Sequence, residues 1–275
     1  MIKSLFIALP TQENLHIKTA MSLFSVVAKV TKQGIPHKVH YYSSSDIIMS
    51  RNRLAARFLS NEAYTHILFV DSDMAFELSV FDGLAQMDEP FVACGYPKRA
   101  LDLEKFRKAV EAEAAKPLDD RAPTKELLSE VLDFTLMEKD FCDRPWSFET
   151  RDGYFSVPGI GFGLALISRQ VFVSMIENGC VDPYMPKGKQ YPRSASYGFF
   201  NQVMRPNGYA LSEDLSFCKR WVADCGGKIW VLADPTISHV GSFAFSGSLA
   251  DKFKRLTMAG KMKRSRKTPA EGEDS

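Results

Sequence analysis

The stretch Thr65–Phe76, THILFVDSDMAF, constrains the chain more than any other. His66 to Val70 is a short apolar run rich in aromatic and branched side chains, and such runs suit buried strands of a mostly parallel sheet. It delivers Asp71 and Asp73 to the strand's carboxyl end, where ligands gather in open α/β sheets. In extended backbone residues i and i+2 share a side, so both acids are expected to face one ligand while Ser72 turns away. Two carboxylates that close repel each other. A divalent cation relieves the repulsion, and an oxygen-only pair favours Mg²⁺ or Mn²⁺ over Zn²⁺ while leaving coordination positions open for phosphate. The competing reading makes Asp71 the cap of a helix starting near Met74 and Asp73 a solvated loop acid.

A chain of 275 residues that is 45% hydrophobic can bury a full core. One domain is expected over residues 1–250, with a helical insertion at 100–144 and a basic, flexible tail at 251–275. The net charge of +2 implies no general attraction to nucleic acid or anionic lipid. No apolar run reaches the ~18 residues that a membrane span needs, and MIKSLFIALPTQE reads as a first strand rather than a leader. The five cysteines, Cys94, Cys142, Cys180, Cys218 and Cys225, contain no CxxC pair. That argues against a disulfide framework or a zinc site and for a reducing cytoplasm.

The chain opens strand, helix, strand: Lys3–Leu9, Leu15–Lys32 stopped by Gly34-Ile35-Pro36, and His37–Tyr42. Pro10 and Thr11 fall at the carboxyl edge of the first strand. Neither GxGxxG nor GxxxxGK[ST] is present, which removes support for a dinucleotide fold or a P-loop. Asp46 precedes a helix, Ile48–Leu59, that carries Arg51, Asn52 and Arg53 in its first turn. Cations there oppose the helix dipole unless an anion uses them. One of the two arginines is expected on an ordinary solvated face, and the other to reach the same phosphates as Asp71. A helix at Leu78–Met87 and a strand at Phe91–Gly95 follow, then Tyr96-Pro97-Lys98-Arg99. From Ala100 to Arg144 the chain is charged and helix-prone, with helices expected at Leu101–Ala115 and Lys125–Lys139. This insertion reads either as a lid over the site or as a packing appendage.

Gly159, Gly161 and Gly163 alternate before the strand LALIS and a helix at Arg169–Asn178. Alternate glycines let a ligand approach the backbone closely, or else mark a bulged edge strand. Val181–Asn207 is long, aromatic and rich in Pro and Gly, as binding loops often are. Ser212 is a good N-cap for a helix beginning with Glu213 and Asp214, whose acids read either as dipole partners or as site residues after a long polar loop. Lys228–Leu232 is the last strand expected, and His239 follows in a loop. The tail carries eight basic residues from Lys252 to Lys267 before Glu271, Glu273 and Asp274. It reads as a flexible end, or as a means of finding an anionic acceptor environment.

In this order the motifs resemble a metal-dependent glycosyltransferase of the GT-A fold, family 2-like, over Ile2–Phe245 apart from the insertion. Asp71-Ser72-Asp73 resembles the DXD triplet, SRNRLAARFL the basic helix that precedes it, Ser212-Glu213-Asp214-Leu215 the acidic motif near the acceptor, and His239 the C-terminal histidine that completes the metal site. The resemblance implies a Rossmann-like three-layer α/β sandwich with a mostly parallel central sheet and a helical insertion. It implies Mn²⁺ or Mg²⁺ held by Asp71, Asp73 and His239, with the nucleotide-sugar donor contacted by Pro10, Thr11, Asp46, Arg51, Asn52, Asp71, Ser72 and Asp73. The acceptor or sugar would meet Gly159, Gly161 and Tyr96, and Asp214, aided by Glu213, would be the base of an inverting transfer.

The chemistry fits that implication: a cation neutralises the departing diphosphate, and a carboxylate takes the acceptor proton. A glycan, a lipid-linked glycan or another hydroxyl compound would be the acceptor, with peripheral contact at the inner membrane surface through the tail and nucleic acid a lesser alternative. Two other classes remain. A haloacid-dehalogenase-type phosphatase also places Asp-x-Asp after a strand, with a Thr two residues later where this chain has Ala75 and Phe76. A non-catalytic module would bind sugar or nucleotide without turnover.

Overall fold

A computed structural model describes residues 1–136, 149–185, 196–241 and 245–258. The chain begins with β1 (Leu5–Thr11), α1 (Ile17–Lys32), β2 (His37–Ser43), α2 (Ile47–Leu59), β3 (His66–Val70), β4 (Met74–Phe76), α3 (Leu78–Gln86) and β5 (Phe91–Cys94). The strand-helix-strand opening is present as the hydrophobic periods require. Gly34, at φ +67°, ends α1 in a backbone conformation that suits glycine.

Then come β6 (Pro97–Leu101), α4 (Leu103–Ala114), α5 (Thr124–Val131), β7 (Leu132–Phe134), β8 (Thr150–Arg151), β9 (Tyr154–Val157), β10 (Leu164–Ser168) and α6 (Arg169–Glu177). After the long loop stand α7 (Glu213–Lys219), a π-helical turn at Arg220–Asp224, β11 (Ile229–Leu232), β12 (Ile237–His239), β13 (Phe245–Gly247) and α8 (Leu249–Met258).

Eight strands form the central sheet in the order β2-β1-β3-β10-β5-β11-β9-β8. Its pairings are mixed. β1 with β2, β1 with β3 and β5 with β11 are parallel, while β10 with β3 and β5, β9 with β11 and β8 with β9 are antiparallel. The half that presents Asp71 is therefore parallel, as the buried run of β3 suggests, and antiparallel strands enter beyond it. Pro10 fits within β1 because the β3 ladder stops at Ala8, where no backbone donor is needed on that side.

Apolar side chains alternate between the two faces of the sheet, and each face has its own core. Leu5, Ile7, Leu68 and Val70 pack with Leu23, Val26 and Val30 of α1 and Val80, Phe81 and Leu84 of α3. Phe6, Ala8, Ile67 and Phe69 pack with Leu54 and Phe58 of α2, Val171 and Phe172 of α6 and Phe217 of α7. The result is three layers, helices on both faces of a sheet.

The insertion is shorter in helix than its composition suggests. α5 stops at Val131, and β7 pairs with β6, tying this segment to the strand that follows the site-bearing β5; residues 137–144 lie outside the described residues. The tail boundary also moves. α8 continues to Met258, with Phe253 packed edge-on against Phe155 at 5.0 Å and Lys252 Nζ donating to the Leu132 carbonyl at 2.6 Å. Lys252 is thus a structural cation rather than part of a free basic end, because its apolar neighbour Phe253 draws the helix onto the core. The remainder of the tail, residues 259–275, lies outside the described residues.

Candidate active site

The carboxyl end of β3 is fixed by backbone bonds before any side chain is considered. The Asp71 amide donates to Gly163 O at 3.0 Å, the His16 amide to Ser72 O at 2.9 Å and the Val240 amide to Asp73 O at 2.7 Å. Residues 71–73 form a turn rather than an extended segment, and β4 follows where a helix was the alternative. Asp71 therefore caps no helix. The turn also removes the premise that Asp71 and Asp73 share a side, and the two acids take different partners.

Asp73 meets residues from two distant strands. His239 Nε2 lies 3.3 Å from its Oδ2 and Arg99 Nη1 3.0 Å from the same oxygen. His239 is there because β12 is antiparallel to β4 in a register that opposes His239 to Met74; it ends a strand instead of standing in a loop. Its other ring nitrogen, Nδ1, lies 3.0 Å from the Pro97 carbonyl, and its ring meets Tyr96 edge-on at 5.3 Å. Burial pushes the Asp73 carboxyl up, but the hydrogen bond and charge of His239, with Arg99, outweigh it and hold the group below its ordinary value.

Asp71 belongs to a second cluster, centred on Arg51. That side chain is 2% exposed, with Nη2 3.3 Å from Asp71 Oδ1 and from Asp214 Oδ1, and Nε 3.7 Å from Glu213 Oε1. Its guanidinium lies 5.5 Å from the Phe162 ring centroid and 5.9 Å from that of Phe200. Arg53 is buried too, so neither arginine occupies a solvated face. Arg51 is held inside by its three carboxylates.

Burial raises the Asp71 carboxyl, with Arg51 opposing and Asp73 and Glu213 adding to the rise. Asp214 is pushed up to about 7, again by burial first, against Arg51. The helix dipole does not set the Asp214 carboxyl as its first-turn position suggests, because burial of the side chain outweighs it. Glu213 shares the same guanidinium. Asp214 Oδ2 accepts from the Phe162 amide at 3.1 Å, while Oδ1 of both Asp71 and Asp214 is buried without a hydrogen bond.

Several other expected contacts have structural employment. Asp46 caps α2, accepting from the Met49 amide at 3.0 Å. Asn52 accepts from the Phe200 amide and donates to Asn201 Oδ1, both at 3.0 Å, which ties the long loop to α2 and leaves little for a donor. Thr11 Oγ1 donates to the Asn14 carbonyl at 3.0 Å, Pro10 is buried in β1, and the Ser72 carbonyl serves His16. Two of the glycines make room for Tyr96: a Cβ on Gly161 would stand 2.4 Å from Tyr96 Oη, and one on Gly163 2.6 Å from its ring. Gly159 is buried beside them, and Tyr96, 5% exposed, accepts from the Gly163 amide at 3.2 Å. These three form a packed wall of the site. Arg99 is the residue that sequence reasoning passed over, although its place just beyond the carboxyl end of β5 was a signal.

The donor set at Asp73 and His239, with Asp71 adjacent, is oxygen and imidazole, a set that suits a divalent cation, and Asp71 Oδ1 faces the Arg51 guanidinium. Among the described residues no three Asp, Glu, His or Cys side chains converge as a ready cation cage, since Arg51 and Arg99 now neutralise the acids.

No protein-family model and no curated protein matches the chain. A solved structure, A197 from STIV, is similar at 12% identity and a TM-score of 0.43, covering 90% of this chain and 92% of that one. Likeness at that level assigns neither fold family nor reaction.

Proposed function

We propose that the chain is a glycosyltransferase that moves a sugar from a nucleotide-sugar donor to a hydroxyl acceptor, with inversion at the anomeric carbon. The observation that carries this reading is the contact of Arg51 with Asp71 and Asp214 together, which sets the acid of the strand-end triplet beside the acid of the acceptor-side motif. Asp73 and His239, with Asp71, would hold Mn²⁺ or Mg²⁺, which supplies charge neutralisation for the departing diphosphate. Asp214 is the base. Its Oδ2 is held by the Phe162 amide and its Oδ1 lies 3.3 Å from Arg51 Nη2, contacts that fix the carboxyl that would take the acceptor proton. A carboxyl pushed up to about 7 is matched to proton abstraction near neutral pH. Arg51 orients both acids, and Glu213 helps to hold it.

Among the described residues no helix is long and apolar enough to cross a membrane, so an acceptor borne by a lipid would be reached from the surface. The deciding experiment is a thermal-shift screen of UDP-, GDP-, CMP- and TDP-sugars with and without Mn²⁺, followed by NMR coupling constants of the product from the donor that binds. Metal-dependent stabilisation by one nucleotide sugar and an inverted product are expected. Retention of the donor's configuration would remove the assignment of Asp214 as the base of a single displacement. Hydrolysis of simple phosphomonoesters without transfer would move the chain to the phosphatase class.

A further inference from the structure

Far from these acids, Cys180 and Cys225 stand with their sulfurs 3.3 Å apart. They lie on different elements: Cys180 follows Gly179 at the end of α6, and Cys225 follows the π-helical turn Arg220–Asp224. Both are partly exposed, whereas Cys94 and Cys218 are fully buried. Neither site has the ligands of a metal centre, and the scattered cysteines of the sequence gave no reason to pair these two.

We propose that Cys180 and Cys225 are a modification site, a dithiol that closes reversibly to a disulfide and latches the start of the 181–207 loop to the segment after α7. The inference is independent of the glycosyl-transfer reading. The place of the bond gives it a structural consequence. Arg220, one turn before Cys225, already donates from Nε to the Cys180 carbonyl and from Nη1 to the Phe199 carbonyl, each at 3.1 Å. Between those anchors the loop folds back on itself, the Gly198 amide reaching Asp182 O and the Tyr184 amide Ser196 O, each at 2.9 Å. Phe200 and Asn201 then engage Asn52, the neighbour of Arg51 in α2. A disulfide would convert this hydrogen-bonded clasp into a covalent one.

The chemistry needs an external oxidant, a small-molecule disulfide such as oxidised glutathione. The Cys180 thiolate attacks one of its sulfurs, forming a mixed disulfide and releasing one glutathione thiol. Cys225, giving its proton to solvent, then attacks Cys180 Sγ and expels the second. Two protein thiols are oxidised and one glutathione disulfide is reduced to two thiols. This order of attack follows from Cys225, whose thiol is pushed up to about 12 by burial and by its bond to Cys180, so that it forms the thiolate less readily.

The test uses the full chain, equilibrated with graded ratios of reduced to oxidised glutathione, then alkylated and analysed by intact mass and peptide mapping. The expected result is loss of two alkylatable thiols, a cross-linked peptide containing Cys180 and Cys225, and a melting temperature about 5–10 °C higher, reversed by dithiothreitol. Cys225→Ser should melt like the reduced protein at every ratio, and Cys180→Ser likewise. The proposal is overturned if oxidation stops at the mixed disulfide, if Cys142 is the partner found, or if the cross-linked protein melts no higher than the reduced one.

Discussion

Arg51 Nη2 approaches Asp214 Oδ1 to 3.3 Å across the interior that separates α2 from α7. The same nitrogen serves Asp71, and Glu213 closes the other side of the guanidinium. One buried cation thus faces three carboxylates, which leaves a residual negative charge for at least one proton, or a further cation, to offset.

The first consequence concerns Arg51 itself. Arg51→Met removes the charge but keeps apolar bulk against Phe162 and Phe200. Breaking a buried ion pair on one side costs about 3–5 kcal/mol, and urea denaturation at pH 7.5 should show a loss of that size. Part of it should return at pH 5, where the stranded acids protonate. A loss that is equal at both pH values would contradict the cluster.

Titration of Asp214 gives a second. Its ordinary value is 3.8, and burial pushes it up to about 7 in the folded chain. Between those values the folded protein holds a proton that the unfolded chain has released, so this group's contribution favours the folded state fully below about pH 4 and is lost as pH rises through about 7. Asp71, also raised, acts with the same sign. Asp214→Asn should flatten the pH dependence of the urea midpoint across that window. In the proposed reaction the same substitution should leave donor affinity intact and cut transfer by about 10²- to 10⁴-fold, while the wild-type rate climbs as pH passes 7.

At the other pole, Asp73→Asn should abolish Mn²⁺-dependent nucleotide binding in calorimetry with the circular dichroism spectrum unchanged. His239→Ala should weaken that binding without removing the fold. Unaltered affinity in Asp73→Asn would exclude the strand-end triplet as the cation's seat.

The glycine wall gives a prediction that does not depend on the reaction. Gly163→Ala drives a methyl group into the Tyr96 ring and should cost about 1–3 kcal/mol. Because the sharpest clash is with the Tyr96 ring, with Met74 Sδ next at 3.0 Å, Gly163→Ala and Tyr96→Ala combined should cost less than the sum of the two single changes, measured from urea midpoints.

What was legible in the sequence follows from what is local. The periods of Leu15–Lys32 and Ile48–Leu59 and the apolar run His66–Val70 marked α1, α2 and β3 to within a residue or two of their ends, and the Asp pair marked the carboxyl end of β3. Partner choice was not legible, because it is made by elements distant in the chain. Nothing around His239 announces β12; the strand exists through its pairing with β4. The helix dipole gave the wrong sign for Asp214 because first-turn reasoning leaves out the burial of the side chain. Alternate glycines at 159, 161 and 163 read as space for a ligand, and beside Gly161 and Gly163 stands Tyr96, whose ring no local pattern places there. β7 hid inside an apparently helical insertion, and β6 at its leading edge, for the same reason.

The register of β12 on β4 also sets a clock. Asp73 is in place once β3 and its turn form, but His239 reaches it only after almost the whole domain has been laid down and the last short strand has docked. Contacts between such remote segments close late, since their loop entropy must be met first. A nascent chain that has not yet added Ile237–His239 carries an Asp73 without its imidazole. The fold thereby withholds this corner of the site from partly made or misthreaded protein, and a slip of one residue in a three-residue strand would turn the imidazole to the opposite face of the small sheet.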